Sequence, residues 1–148
     1  MGIRAVIIFL ITLLAAMGDA RAMDYVSVAD GPAIFYDAPS LKAKKIFVVS
    51  RYLPLEQVVI LDNWVKVRDS SGTLAWVEKR ALGSKRFVVV TAALGAIRQA
   101  PEENAAVILQ ARQQVALEWL ENTGTGWIKV RHQDGATGYV KITDVWGG

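Results

Sequence analysis

The chain has 148 residues, 53% hydrophobic and 21% charged, with 17 lysines and arginines against 14 acidic residues and a net charge of +3. That leaves room for one ordinary domain or two very small ones, rules out a disordered composition, and gives no argument for nucleic acid as a partner. Cysteine is absent and histidine occurs once, at His132. A disulfide framework, a thiol nucleophile, and a cysteine or multi-histidine metal site are therefore excluded.

Residues 1–22 read as an export signal. Arg4 supplies the positive charge, Ala5 to Met17 an apolar run broken by Thr12, and Ala20-Arg21-Ala22 the small residues of a cleavage site, so the exported chain begins at Met23. The alternative is a retained anchor. Its thirteen helical residues would reach about 20 Å, short of a hydrocarbon core about 30 Å thick. The expected location is the periplasm, with no stable membrane insertion after signal cleavage.

Short strands follow, rich in β-branched and aromatic residues. They are expected at Tyr25 to Ala29, Ala33 to Asp37, Ile46 to Ser50, Gln57 to Leu61, Trp64 to Asp69 and Thr73 to Val77, separated by Asp30-Gly31-Pro32, Asp62-Asn63 and Ser70-Ser71-Gly72. The second half repeats the plan, with Gln133-Asp134-Gly135 as a hairpin turn. Glu102 to Arg112 is open to a helical reading, but by analogy with Lys42 to Val49 it reads as a loop and then a strand.

The chain after the signal is one unit written twice. Trp64-Val65-Lys66-Val67-Arg68 matches Trp127-Ile128-Lys129-Val130-Arg131, 63 residues on, and Ala38-Pro39 matches Ala100-Pro101, 62 residues on. The glycine-rich run Thr123 to Gly126 is the expected place of the extra residue. The units are 24–83 and 86–147, joined at Gly83-Ser84-Lys85-Arg86. A joint this short keeps the copies close, and a sixty-residue unit buries only about 60% of its unfolded surface, so contact between them is expected to add stability.

The ordered landmarks resemble the bacterial SH3-like domains. Ile97-Arg98-Gln99-Ala100-Pro101, Gly126-Trp127-Ile128-Lys129-Val130 and Gly138-Tyr139-Val140 are similar to that family's Val-Arg-x-x-Pro, Gly-Trp-x-Lys-Val and Gly-Trp-Val segments. The first unit departs at Tyr36, Asn63 and Ala75, where arginine, glycine and glycine are usual. The resemblance implies an all-β chain of two tandem small SH3-like β-barrels after the signal peptide. It also implies a non-enzymatic role, commonly recognition of peptide in or near the cell wall.

Period-two alternation sends Val65, Val67, Ile128 and Val130 to the core, and Trp64 and Trp127 to the more polar face among cations. An exposed aromatic in such a place is a binding surface; the alternative is packing under a loop or between the copies. Tyr36, Trp76 and Tyr139 on neighbouring strands, with Arg98 of the arginine-bearing segment, complete the candidate ligand-binding set. The second unit, the better match to the family, is the preferred recognition copy. Lys42, Lys44 and Lys45 form one basic cluster, and Lys79, Arg80, Lys85 and Arg86 another. They read either as attractors of anionic ligands or as solvated loops, and the uneven charge allows the copies to meet electrostatically.

No catalytic constellation is visible. His132 lacks a serine or cysteine partner, and Thr123 to Gly126 lacks the Gly-Lys-Ser/Thr of a phosphate loop. No cofactor or metal is expected. The expected partner is a peptide, either the peptidoglycan stem peptide or a segment of an envelope protein. The alternative is a purely structural protein–protein adaptor in the cell envelope.

Overall fold

The structure, a computed structural model, describes residues 24–148; the expected signal segment lies outside them. The described chain is all-β, with no α-helix. The first seven strands are β1 (Tyr25–Val28), β2 (Ala33–Tyr36), β3 (Lys45–Val49), β4 (Pro54–Leu61), β5 (Trp64–Arg68), β6 (Leu74–Glu78) and β7 (Leu82–Gly83). The second seven are β8 (Phe87–Val90), β9 (Leu94–Arg98), β10 (Val107–Arg112), β11 (Ala116–Asn122), β12 (Trp127–Arg131), β13 (Thr137–Lys141) and β14 (Val145–Trp146). They form two antiparallel sheets, ordered β3-β2-β6-β5-β4-β1-β7 and β10-β9-β13-β12-β11-β8-β14. No helix among the described residues is long and apolar enough to cross a membrane.

The duplication holds strand by strand. Tyr25 pairs with Glu56 and Glu56 with Arg68; Phe87 pairs with Glu118 and Glu118 with Arg131. Both long hairpins carry a register shift at the same place, between Gln57 and Val59 and between Trp119 and Glu121. The β4–β5 turn is Asp62-Asn63, whereas Thr123 to Gly126 join β11 to β12, so the length difference falls in that glycine-rich turn. Glu102 to Arg112 is a loop as far as Ala106 and then strand β10. Most expected strand ends are shifted by one residue and β7 was not expected; the largest difference is that β4 starts at Pro54 rather than Gln57, because Ser27 of β1 pairs there. Proline suits a strand's first position, where the missing N–H breaks no inner ladder bond.

Alternation places the cores. Val65, Val67, Ile128 and Val130 are fully buried. The first core gathers Phe35, Leu55, Val65, Val67 and Val77, and the second Val88, Val90, Leu117, Ile128, Val130 and Val140. Each such side chain contributes about 1.5–3 kcal/mol by leaving water.

Gly138 sets a packing limit in the second core. A Cβ there would lie 2.5 Å from Ile97 Cγ2 and 2.7 Å from the Arg98 carbonyl oxygen, and that backbone atom has no room to yield. Gly138→Ala is expected to destabilise by about 1–3 kcal/mol in a denaturant titration, as overpacking does. Gly31→Ala, with nothing within 4 Å of the new methyl, is the control and stays within about 0.5 kcal/mol.

The copies meet through aromatic rings. Tyr52 stacks on Phe87 at 4.5 Å and 12°, and Tyr25 meets Trp146 edge-on at 5.2 Å. Gly147, at φ 109°, sits so close to Pro54 that an added Cβ would fall 2.6 Å from its Cβ. The electrostatic contact allowed by the charge division does not form between the sheets: among the described residues no ion pair joins them, and Lys85 of the joint pairs with Glu118 of β11 at 3.4 Å. Tyr52 has a left-handed φ of 68°, matched in the second repeat by Gln114 at 71°. This conformation costs a side-chain-bearing residue about 1–2 kcal/mol. Both residues recover a backbone bond, donating to Val28 and Val90 carbonyls at 2.9 and 2.8 Å, and Tyr52 adds its stack on Phe87.

Candidate functional site

On the outer face of the first sheet, Lys66, Trp76 and Tyr36 lie in register across β5, β6 and β2. Trp64 lies opposite Glu78, and the Tyr36 ring meets it edge-on at 5.2 Å and 90°. The sheet thus brings Tyr36, Trp64 and Trp76 together. Tyr36 is buried at 3% exposure, while Trp64 and Trp76 are half-buried.

A cavity of about 720 Å³ opens beside Trp64, lined by Leu41, Asn63, Trp64, Glu78, Lys79 and Arg80. Its position follows from local structure. The Lys79 N–H donates to the Asn63 carbonyl at 2.8 Å, tying the β4–β5 turn to the short 3-10 turn Lys79–Ala81 after β6. Leu41, 65% exposed, enters from the loop before β3. Glu78 hydrogen-bonds and pairs with Arg80, which raises the guanidinium pKa above its ordinary value. Lys79 has no ion pair among the described residues. The result is an apolar-floored groove with a cationic rim, suited to an aliphatic or aromatic group next to a carboxylate.

The second repeat has the same frame and the opposite outcome. Lys129, Tyr139 and Arg98 lie in register, with the Lys129 ammonium 6.0 Å from the Tyr139 ring centre. Arg98 Nη1 donates to the Ala105 carbonyl at 2.8 Å, which engages the guanidinium in holding a loop. Lys141 stands opposite Trp127, where the first repeat has Glu78. Its ammonium lies 6.0 Å from the Trp127 ring centre and pairs with Glu103, which occupies the place of Leu41. Trp127 is only 8% exposed beside this pair. The open groove is therefore in the first repeat, although the family resemblance favoured the second.

Of the six residues expected from the sequence, Trp64 alone lines this cavity; Tyr36 and Trp76 lie beside it in the sheet, and Leu41, Asn63 and Glu78, which sequence reasoning missed, form the walls. The signal was available: Leu41 against Glu103 and Glu78 against Lys141 are two mismatches between otherwise parallel repeats. Lys79 and Arg80, one of the two readings of a basic cluster, stand at the rim. His132 lies away from Trp64, 3.1 Å from Asp134 in the β12–β13 turn. The Ala136 N–H and then His132 hold the Asp134 carboxyl below its usual range. Among the described residues, no three histidine, aspartate or glutamate side chains are grouped to hold a metal ion.

Comparison with known proteins gives a family and loose structural likenesses. NlpC1 and NlpC2 from Trichomonas vaginalis are 10% and 11% identical, each with a TM-score of 0.40; the matches cover 88% and 86% of this chain and 48% and 49% of theirs. An NlpC/P60 family protein from Bacillus cereus ATCC 10987 is 15% identical with a TM-score of 0.38, over 83% of this chain and 56% of its own. The chain thus spans about half the length of these structures. No curated protein matches its sequence. The bacterial SH3 domain model, by contrast, matches residues 29–83 and 91–147, which hold β2 to β7 and β9 to β14. The chain belongs to the bacterial SH3 domain family and carries two tandem copies of the domain.

Proposed function

We propose that the protein is an exported, non-enzymatic binding module of the cell envelope, which takes a peptide in the groove of its first SH3 domain. The observation that carries this reading is the open cavity beside Trp64, with Leu41 as an apolar wall and Lys79 and Arg80 at its rim. A peptidoglycan stem peptide or a segment of an envelope protein offers the matching chemistry: small aliphatic side chains next to carboxylates. Membership of a family of binding modules and the absence of a nucleophile–base pair in the sequence support it, and the composition of residues 1–22 supports the periplasm as its place.

The test uses purified sacculi. Trp64→Ala is expected to abolish retention. The double variant Leu41→Glu, Glu78→Lys, which copies the second repeat, is expected to do the same with little change in the thermal midpoint. Retention that survives both changes would sink the groove; recovery of a single envelope protein in place of sacculi would favour the adaptor. Location has its own check. Protein released by osmotic shock is expected to have the intact mass of a chain starting at Met23, and a membrane-bound species retaining residues 1–22 would overturn export with cleavage.

A further inference from the structure

Strand β3 is the outer strand of the first sheet and pairs only with β2. Such an edge leaves alternate N–H and C=O groups pointing away from the sheet, and proteins ordinarily blunt it with charged or bulged residues. Here the middle of the strand is apolar and exposed: Ile46 at 40%, Phe47 at 41% and Val48 at 67%. The second repeat's edge is also apolar where it begins, with Val107 and Ile108 exposed at 44% and 45%, but it is blunted further along. Its edge strand β10 has Gln110 where β3 has Val48, and Arg112 where Ser50 follows β3. The correspondence is fixed by register, since Val49 pairs with Ala33 and Ala111 with Gly95.

The ends of this edge are basic. Residues 38–55 contain no acidic side chain and carry Lys42, Lys44, Lys45 and Arg51. None of these four forms an ion pair among the described residues; the nearest acid in sequence, Asp37, accepts from the Lys44 backbone N–H. The corresponding stretch of the second repeat has Glu102, Glu103 and a single cation, Arg112. This charge also opposes self-association. A two-fold antiparallel pairing centred on Phe47 brings each lysine cluster beside the other chain's Arg51, and one centred on Val48 sets Lys45 directly against Arg51. Like charges across a strand pair are destabilising.

We propose that β3 is a docking edge for an extended segment of a partner protein, apolar in its middle and acidic at its ends, which adds to the first sheet as an eighth strand. Backbone bonds to β3 supply affinity, alternate side chains pack on Ile46 and Val48, and the partner's carboxylates meet the lysines and Arg51. A lipid surface could satisfy the charge and the apolar side chains but not the open backbone groups of the strand. The site adjoins the Trp64 groove at the loop that carries Leu41 but makes no use of Trp64 itself.

The experiment is fluorescence anisotropy with a labelled synthetic peptide of alternating valine and threonine, bearing paired glutamates at each end, and its lysine-ended counterpart. The intact protein is expected to bind the glutamate-ended peptide saturably and at least about tenfold more tightly, with the difference shrinking at high salt. Hydrogen exchange is expected to show new protection in β3. Val48→Lys, at the most exposed position of the strand, is expected to abolish binding. Lys44→Glu with Lys45→Glu, which leaves the edge with no net charge, is expected to remove the preference between the peptides, and Trp64→Ala to leave it unchanged. Circular dichroism confirms that each variant is folded. Absence of saturable binding, equal binding of the two peptides, indifference to Val48→Lys, or β3-dependent binding to phosphatidylglycerol vesicles in place of the peptide would each overturn the proposal.

Discussion

Trp127→Ala is expected to lower the unfolding free energy by about 3–5 kcal/mol, the range for removing a large buried aromatic. That is a large part of the total of a small domain, about 5–15 kcal/mol. Trp127 is 8% exposed and lies next to the Glu103–Lys141 pair. Trp64→Ala removes the same side chain from the same strand position and is expected to cost much less. Its ring is half open, and its edge contact with Tyr36 contributes about 0.5–1.5 kcal/mol. Val67→Ala, in the middle of the first core, is a reference for true core loss. The measurement is a denaturant titration of all three variants alongside the sacculus assay. Trp64→Ala as destabilising as Trp127→Ala would make both tryptophans structural.

The second large effect concerns the contact between the domains. Phe87 is 7% exposed, and one face of its ring is covered by Tyr52. Phe87→Ala is expected to cost about 3–5 kcal/mol and, beyond that, to uncouple the two domains. Tyr52→Gln is the cleaner variant. Gln114 holds the equivalent left-handed position in the second repeat, so this change removes the stack without a new backbone demand. Scanning calorimetry is expected to give a single transition for the unaltered protein and two for either variant. One unchanged transition in Tyr52→Gln would show that the stack does not couple the domains.

Much of the fold was legible because a duplicated sequence supplies its own control. Alternating valines located the central strand of each barrel, and Asp62-Asn63 and Gln133-Asp134-Gly135 located turns. The start of β4 was not legible, since Pro54 belongs to the strand only through its pairing with β1. The site was half legible. Trp64 and Trp127 are identical in type and strand position, yet one is open and the other covered. The difference lies in Leu41 and Glu103, on loops far along the chain, and in Glu78 and Lys141, one strand over. The rings joining the domains were beyond reach: Tyr52, Phe87, Tyr25 and Trp146 look like ordinary strand and turn residues until the two sheets are placed side by side.

The meeting of Tyr25 with Trp146 has a kinetic consequence. It joins the first strand to the last, so almost the whole described chain must be ordered before it forms. Every strand pairing within a sheet closes a loop confined to one repeat, and shorter loops close at lower entropic cost. Each barrel is therefore expected to assemble on its own, with docking of Tyr25 on Trp146 as the final event. Shortening Trp146 to leucine should then speed unfolding and leave the refolding rate almost unchanged, the signature of a contact absent from the transition state. A slowed refolding rate would instead place the docked pair early, with one barrel templating the other.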